Sequence, residues 1–497
     1  MAAFLAAPLL CLAPETQSSS TFEPTDCWVP LPEDTEIQCG TVSVPLRWEA
    51  PETGRIKLAV ALYPARDPVP GAAPVIYLSG GPGFPALGPD GENIAGWRGG
   101  ADRLFPGRTV VVFDQRGTGL SQPRLDCPEI DSPTVWGELS EDPEAFGDSR
   151  ARLHGALAAC HRRLSAEGTD LNAFNRRQSA ADVEGLRRAL GFNKVVLSGL
   201  SYGTRLALTV LRHYPESLAA VVLDSPFPPQ ALWPGEDGEA LGATLERLFA
   251  ACARDQRCAK AYPDLRGRLL TALARLEAKP AVIEVANLES TTPLYARVDH
   301  RVFLGVLWKE MYYTGRLVGL PTLISGVAKG EDWRIKRHLE NVYYGPEPRI
   351  YDSGMTYAFY CHDKAGVEPR PSDLDGSGPY PYVTDFIAWN WQMDFCRTWP
   401  HGALDPIEHS AVTSDLPVLL LAGALDGSTA VELAEQAAAT LANGHLFVFP
   451  ANAHVQLFGG DCPRQILSAF LADPLTRPNP ACLAKLPQPT FRTLGGS

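Results

Sequence analysis

The sequence of 497 residues lacks any long run of charges of one sign, and acidic residues outnumber basic ones by 57 to 44. The net charge of −13 would repel a phosphate backbone, which argues against nucleic acid as a partner. After its apolar start, the chain has no uninterrupted apolar stretch of about 18 residues, so we expect no membrane span. No cysteines have C-x-x-C spacing and no Cys/His cluster has zinc spacing. The sequence offers no site for a metal or an organic cofactor, and we expect neither.

Cysteine is the residue type that indicates the compartment. Of eleven cysteines, ten fall into neighbouring couples along the chain, whereas Cys11 lies in the apolar start. The couples are Cys27 and Cys39, Cys127 and Cys160, Cys252 and Cys258, Cys361 and Cys396, and Cys462 and Cys482. Such couples predict five local disulfides in an oxidising compartment, each stabilising by about 2–4 kcal/mol. Buried free thiols are the alternative.

The start of the chain resembles a targeting segment. Met1–Ala13 is almost entirely apolar and is followed by the polar stretch Glu15–Thr21, although no Lys or Arg precedes the apolar part. This pattern is typical of the apolar part of a signal peptide and is too short to span a bilayer. We therefore expect residues 1–21 to be a leader and the protein to be secreted or periplasmic.

Short apolar runs alternate with helical patterns, which predicts an α/β fold with a mostly parallel, doubly wound sheet. The predicted strands are Gly40–Trp48, Ile56–Tyr63, Pro74–Leu78, Thr109–Phe113, Val195–Ser198, Ala219–Leu223, Val418–Ala422 and Leu446–Phe449. A helix is predicted over Ser179–Leu190, opened by Ser179 and Asp182 at capping-box spacing and closed by Gly191.

The strand rhythm lapses between about residues 227 and 414, where helical patterns dominate. The predicted helices there are Leu241–Asp255, Leu265–Ala278 and Arg301–Tyr313. We interpret residues 227–414 as a mainly helical cap, inserted between two parts of the sheet core, residues 22–226 and 415–497. The proline-rich tail from Pro474 is expected to wrap the surface, held by Cys482.

The strongest chemical signal is the G-x-S-x-G sequence from Gly199 to Gly203, centred on Ser201. It directly follows an apolar strand and precedes a helical run. A tight strand-to-helix turn makes a serine hydroxyl project clear of the sheet, and the small flanking residues let the backbones pass closely. The sequence therefore predicts Ser201 as a nucleophile and the backbone N–H of Tyr202 as a donor to the developing oxyanion.

A second glycine-rich loop, Ser79–Gly83, ends another predicted strand. Since Pro82 has no N–H, Gly81 is the candidate for the second oxyanion donor, and a plain glycine turn is the alternative. Farther along, Asp114 and Arg116 lie in a Gly-containing stretch. We expect them to pair with the backbone and with each other and to brace the glycine loop, without a catalytic role.

A base and an orienting acid are expected near the C-terminus. Asp426 follows one predicted strand and His454 follows the next, so both lie at carboxyl ends of strands, as Ser201 does. The order Ser, Asp, His is typical of this arrangement, in which the histidine takes the serine proton and the aspartate holds its tautomer. Asp224, at the end of another strand, is the rival acid.

Taken together, Gly80–Gly83, the Asp-Gln-Arg-Gly-Thr-Gly-Leu-Ser stretch from Asp114 and the Gly-Leu-Ser-Tyr-Gly elbow resemble the prolyl aminopeptidase family. The length, the cysteine couples and the C-terminal Asp and His segments are more similar to its exported tripeptidyl-aminopeptidase branch. The resemblance runs from about residue 27 to 482. Two positions depart from the family pattern: Ser79 stands where His is usual, and Ala430 replaces a common proline.

The resemblance implies an α/β-hydrolase fold and exopeptidase action on the free amino terminus of short peptides, beneath a cap. It also implies Ser201, Asp426 and His454 as the triad, with Gly81 and Tyr202 as oxyanion donors. A carboxylesterase or amidase acting on a non-peptide small molecule is one alternative, and a non-catalytic binding protein on the same fold is another. The sequence leaves the oligomeric state open.

The cap contains side chains that suit a substrate pocket. Aromatic residues such as Trp308, Tyr312 and Tyr360 either line an apolar pocket over Ser201 or form the core of the cap itself. Acidic residues are candidates to bind a substrate ammonium group, and the sequence does not choose among Glu310, Asp352, Asp363 and Asp394.

Overall fold

The computed structural model describes residues 20–32, 35–231, 234–345, 351–365, 381–390 and 404–493, together with residues 367, 396, 399 and 402. Nearly all of the predicted leader, Cys11 and the candidate Asp394 lie outside the described residues.

The strands of the described chain are β1 (Phe22–Thr25), β2 (Gln38–Pro45), β3 (Arg55–Tyr63), β4 (Val75–Leu78), β5 (Val110–Phe113), β6 (Leu139–Ser140), β7 (Val195–Leu200), β8 (Leu218–Asp224), β9 (Ala281–Val285), β10 (Leu294–Val298), β11 (Ser414–Gly423) and β12 (Leu441–Phe449). The α-helices are α1 (Ile94–Leu104), α2 (Pro133–Trp136), α3 (Ser149–Ala166), α4 (Arg176–Ala189), α5 (Tyr202–His213), α6 (Pro234–Arg254), α7 (Gln256–Ala261), α8 (Leu265–Ala278), α9 (His300–Glu310), α10 (Thr314–Leu317), α11 (Leu320–Ala328), α12 (Lys336–Tyr344), α13 (Ser353–Asp363), α14 (Pro381–Asn390), α15 (Val431–Ala438) and α16 (Asp461–Ala472).

Nine strands form one sheet in the order β1-β2-β3-β5-β4-β7-β8-β11-β12. The strands from β5 to β12 in this order are parallel, with Val75 opposite Val196 and Leu419 opposite Val222, whereas β1, β2 and β3 pair in antiparallel fashion. All eight predicted strands are present in this sheet, and β1 is an additional one. The prediction of an α/β-hydrolase fold is confirmed.

Helices cover both faces of the sheet. On one face, α1 and α16 pack on the strands through residues such as Leu104 and Phe470, and on the other face α4 and α5 do so through Leu186 and Leu206. Strands β4 and β5 are buried at every position. Burial on both faces explains why the central strands are apolar throughout, because neither face meets water.

Helix α4 begins one turn earlier than its predicted start at Ser179. Its N-cap is Asn175, whose side-chain oxygen accepts a hydrogen bond from Gln178 N at 3.0 Å. The capping box predicted for Ser179 and Asp182 is therefore wrong, because an earlier residue satisfies the free N–H groups. Gly191, with φ of 69°, follows the C-cap residue Leu190, as expected.

The segment between β8 and β11 carries the helices α6 to α14, including the three helices expected there. It also contains the hairpin β9–β10, which β6 extends to a small antiparallel sheet. Because β6 lies between β5 and α4 in the sequence, this small sheet also includes an earlier part of the chain. The boundaries at residues 227 and 414 stay a prediction.

All five predicted cysteine couples are disulfide-bonded in the structure. The Cys462–Cys482 bridge joins α16 to the C-terminal tail. Farther along this tail, Phe491 is buried in the hydrophobic core of the cap segment. No described helix combines the length and the apolar character that crossing a membrane requires.

Candidate active site

Ser201 occupies a sharp turn between β7 and α5. Its backbone adopts φ 55° and ψ −121°, which is strained for a residue other than glycine. The N–H of Ser201 donates a hydrogen bond to the carbonyl oxygen of Asp224 at 2.9 Å. A Cβ atom at Gly203 would lie 2.1 Å from the carbonyl oxygen of Leu78, so only glycine allows α5 to start against the end of β4. Ser201 therefore lies on a tight strand-to-helix turn, as the sequence predicts.

The Ser79–Gly83 loop lies directly beside Ser201. A Cβ atom at Gly80 would lie 3.1 Å from that of Ser201, and Gly81 adopts a φ of 109°, which a side chain would oppose. The Ser79 hydroxyl donates a hydrogen bond to the carbonyl oxygen of Phe84 at 2.8 Å, across the loop. Ser79, the departure from the family pattern, thus closes the glycine loop on itself.

Asp426 and His454 meet at the edge of the sheet where β11 and β12 end. The Nδ1 atom of His454 lies 2.8 Å from Oδ2 of the fully buried Asp426. The second oxygen, Oδ1, accepts hydrogen bonds from the backbone N–H groups of Ser428 and Thr429 at 2.8 and 2.9 Å. A carboxylate at Nδ1 favours the tautomer that carries a proton there, which leaves Nε2 able to accept one.

Thr429 is a site residue that our sequence analysis missed. Its hydroxyl donates a hydrogen bond to Oδ2 of Asp426 at 2.9 Å and lies 3.2 Å from Nδ1 of His454. With two backbone donors and this hydroxyl, the carboxylate of Asp426 is held in a single orientation. The sequence does contain a signal for this role. Thr429 is a hydroxyl residue three positions after an aspartate at a strand end, and that spacing is typical of a turn around the carboxylate.

Asp224, the rival acid, has a different set of partners. Its two carboxylate oxygens accept the backbone N–H groups of Gln456 and Leu457 at 2.8 and 2.9 Å. Burial raises the pKa of Asp224 to about 6, and these two hydrogen bonds limit the rise. Asp224 therefore holds the loop after His454, whereas the carboxylate beside the imidazole belongs to Asp426.

Asp114 and Arg116 do not pair with each other, which corrects that part of the prediction. The guanidinium of Arg116 makes a bidentate ion pair with Asp182, with both N–O distances 2.6 Å. Asp114 accepts hydrogen bonds from the backbone N–H groups of Leu87 and Leu120, both at 2.9 Å. Burial raises the pKa of Asp114 to about 7, against these hydrogen bonds. Its bracing of nearby loops agrees with the expectation.

Three of the four acidic cap candidates already have basic partners. These pairs are Glu310 with Arg316 and His338, Asp352 with Arg124, and Asp363 with Arg176 and Arg205. Burial acts to raise the pKa of Asp363, but the two guanidinium groups outweigh it and hold this pKa below the ordinary value. Each of these carboxylates is thus already engaged in an ion pair.

The described residues contain one cluster of three potential metal ligands, formed by Cys127, Glu129 and Cys160. Both sulfur atoms are in a disulfide, and the Glu129 carboxylate pairs with Arg163 at 2.8 Å. These donors are therefore already engaged and do not suit a metal ion.

Comparisons with known proteins agree with the fold. The family model described as alpha/beta hydrolase fold matches residues 73–315, and the model described as TAP-like protein matches residues 380–482. Tripeptidyl aminopeptidase of Streptomyces lividans is 29% identical over 421 residues, which cover 80% of this chain and 74% of that protein. Carboxylesterase B of Mycobacterium tuberculosis is 25% identical over 454 residues, covering 85% and 82%.

The putative hydrolase YuaR of Escherichia coli is 26% identical over 258 residues, or 49% of this chain. This match spans about half of that relative, 48% of its length.

Proposed function

We propose that this α/β hydrolase, a serine hydrolase with a TAP-like C-terminal segment, is an exopeptidase that releases residues from the free amino terminus of short peptides. Its nucleophile is Ser201, its general base is His454 and its orienting acid is Asp426. The observation that carries the proposal is the 2.8 Å contact between His454 and Asp426, at the sheet edge to which the Ser201 elbow also belongs.

In the first half-reaction, Nε2 of His454 takes the proton of the Ser201 hydroxyl as Oγ bonds to the scissile carbonyl carbon. The carbonyl oxygen becomes an oxyanion and accepts hydrogen bonds from the backbone N–H groups of Gly81 and Tyr202. His454 then gives the proton to the nitrogen of the leaving peptide, and the C–N bond breaks. Asp426 stays ionised and stabilises the imidazolium that forms in between.

In the second half-reaction, water replaces the leaving peptide. His454 takes a proton from this water while the water oxygen bonds to the acyl carbon, and the same two N–H groups donate hydrogen bonds to the second oxyanion. The C–O bond to Ser201 breaks, and the proton returns to its Oγ. The products are the released amino-terminal fragment with a free carboxylate and the regenerated serine.

Two observations favour a chain end as the substrate. One is the TAP-like segment, together with a relative that is named as a tripeptidyl aminopeptidase. The other is the proximity of cap residues to the site: the ring of Tyr312 lies 5.0 Å from that of His454, and a Cβ at Gly81 would be 3.1 Å from the Tyr351 ring. Rings this close to the proposed base and to the glycine loop leave little space for a polypeptide that continues in both directions.

The same proposal includes export from the cytoplasm. Five disulfides are characteristic of proteins that fold in an oxidising compartment, and the apolar start of the sequence is typical of a leader.

The experiment compares three chromogenic sets with purified protein: peptide anilides with a free amino terminus, their amino-blocked copies, and short acyl esters. The Ser201→Ala variant supplies the background rate. We expect rapid cleavage of the free peptides, little cleavage of the blocked ones, and no turnover by the variant.

Other outcomes reject parts of the proposal. Hydrolysis of esters alone, or equal rates on free and blocked peptides, would favour the carboxylesterase or amidase alternative. Rates that are the same for the wild-type protein and the Ser201→Ala variant would reject Ser201 as the nucleophile. Failure to turn over any of the three sets, together with no reaction with a fluorophosphonate, would favour a binding protein.

A further inference from the structure

The cap segment that joins α9 to α10 contacts both loops that carry the proposed acid and base. This segment, taken together with the last residues of α9 and the first residue of α10 as residues 308–314, is called the cap bridge here. On one side it meets the acid loop, residues 424–430, and on the other side it meets the histidine loop, residues 452–457. Both loops belong to the sheet core, so these contacts connect the cap directly with the reacting groups.

On the acid side, hydrogen bonds of Ser428 connect Tyr312 with Asp426. The Ser428 hydroxyl donates to the Tyr312 hydroxyl at 2.8 Å, and the backbone N–H of Ser428 donates to Oδ1 of Asp426 at 2.8 Å. Next to it, a Cβ atom at Gly427 would lie 2.8 Å from Cβ of Met311, so the cap bridge and the acid loop are in close contact. Ser428 therefore connects Tyr312 with the carboxylate of Asp426.

On the histidine side, the cap bridge makes two contacts. The backbone N–H of Ala453, the residue before His454, donates a hydrogen bond to the Thr314 hydroxyl at 2.9 Å. The ring of Tyr312 meets the imidazole of His454 edge to face, with 5.0 Å between centroids and 61° between planes. An aromatic ring at this distance restricts the rotation of the imidazole.

The same two loops share the hydrophobic core of the cap. Leu425 of the acid loop and Ala453 of the histidine loop are both buried in the cluster that holds the cap helices together. The two loops are thus held by their strands on one side and by the cap on the other.

We infer that Tyr312 and Thr314 are positioning residues for catalysis, holding the imidazole of His454 and the acid loop in the reactive geometry. This inference rests on the proposed Ser201–His454–Asp426 triad and deepens it. The cap then has a part in the chemical step beyond covering the substrate. A displacement of about 1 Å at a reacting group costs about 10²-fold in rate, which is the scale of effect open to such residues.

A positioning role differs from substrate binding in its kinetic signature. Loss of a group that only contacts substrate raises KM, whereas loss of a group that orients the base lowers kcat with KM unchanged. The rate at which a fluorophosphonate labels Ser201 should fall in parallel with kcat, because labelling needs the oriented imidazole but not the peptide.

The test uses Tyr312→Phe, Ser428→Ala, the double variant, Tyr312→Leu and Thr314→Val in the full-length protein. The matched control is Tyr262→Phe, because Tyr262 is a buried cap tyrosine whose hydroxyl also bonds a side-chain hydroxyl, that of Thr322, at 2.8 Å. For each variant, kcat, KM, the labelling rate and the thermal midpoint are measured.

We expect Tyr312→Phe and Ser428→Ala each to lower kcat about 3- to 10-fold with KM unchanged, and the double variant to lose no more than either single one. Tyr312→Leu should lose about 10²-fold, since it also removes the ring, and Thr314→Val about 10-fold. The control should keep its full kcat, and the thermal midpoints of the phenylalanine variants should match.

Three results would overturn the inference. They are variants that change KM alone, losses of kcat no larger than that of Tyr262→Phe, and single-variant losses of kcat that multiply in the double variant. If Ser201→Ala is inactive and the Tyr312 variants behave like the control, the inference fails while the proposed triad stands. If Ser201→Ala retains turnover, the triad itself fails.

Discussion

Asp224 accepts a hydrogen bond from the backbone N–H of Leu457 at 2.9 Å, and by this bond the end of β8 holds the loop that follows His454. A second bond, from Gln456 N at 2.8 Å, uses the other carboxylate oxygen. Two aspartates therefore serve the same histidine in different ways: Asp426 contacts its ring, and Asp224 holds its loop.

We predict that replacing each aspartate by asparagine lowers kcat to a different extent. Asp426→Asn should lower kcat by about 10³- to 10⁴-fold, because an amide at Nδ1 favours the wrong tautomer. Asp224→Asn should lose only about tenfold, because one oxygen remains to accept an N–H while the other is replaced by a donor. Steady-state kinetics with a peptide anilide measure both. Losses of equal size would contradict the assignment of Asp426 as the orienting acid.

Asp224 is also predicted to make stability depend on pH. Its native pKa of about 6 lies above the ordinary value near 3.8, so the native state binds this proton more tightly than the unfolded state. The resulting stabilisation is complete below about pH 4 and is lost as the pH rises through 6, an effect on the order of 3 kcal/mol.

Urea unfolding of the wild-type protein and Asp224→Asn, at several pH values between about 4 and 8, measures this effect. As the pH rises, the unfolding free energy of the wild type should fall relative to that of Asp224→Asn. A difference that is constant across this range would contradict the raised pKa.

We predict that the turn between β7 and α5 tolerates no side chain at Gly203. Gly203→Ala should abolish the yield of folded protein, because its Cβ would lie 2.1 Å from the Leu78 carbonyl oxygen, which the sheet holds in place. Gly155→Ala, on the exposed face of α3 with open space around it, is the control. It should be neutral or stabilising by up to about 1 kcal/mol. Soluble yield and circular dichroism of both variants decide the comparison.

The cysteine pairing is predicted to leave few free thiols. Ten of the eleven cysteines are disulfide-bonded in the structure, so titration of the denatured, unreduced protein should find at most one thiol per chain, that of Cys11. A count near eleven from protein isolated under non-reducing conditions would contradict both the pairing and the argument for export.

Much of the fold was predictable because its sheet is buried on both faces. Parallel strands of this kind, such as Val110–Phe113, are uninterrupted apolar runs, and the residues that follow their carboxyl ends share one edge of the sheet. For this reason the sequence predicts Asp426 and His454 as a pair, and the structure places their side chains 2.8 Å apart. The cysteine couples were predictable because each pair is close in sequence.

Two of the differences come from long-range packing, and the third from a local capping choice. Arg116 pairs with Asp182, 66 residues away, and no local pattern indicates a partner at that distance. The same holds for Tyr312, whose contacts with Ser428 and His454 arise only when the cap meets the core. The start of α4 was misplaced because Ser179 and Asp182 have capping-box spacing, whereas Asn175 provides the cap one turn earlier.

The roles of Ser201 and His454 are tested most directly by the site and rate of covalent modification by a fluorophosphonate. The modified residue is mapped by peptide mass spectrometry on the intact protein and on His454→Ala. We expect one phosphonyl group per chain, on Ser201, and labelling that is slower by several orders of magnitude in His454→Ala. Modification of another residue, or equal labelling rates in the two proteins, would contradict the assignment of Ser201 and His454 as nucleophile and base.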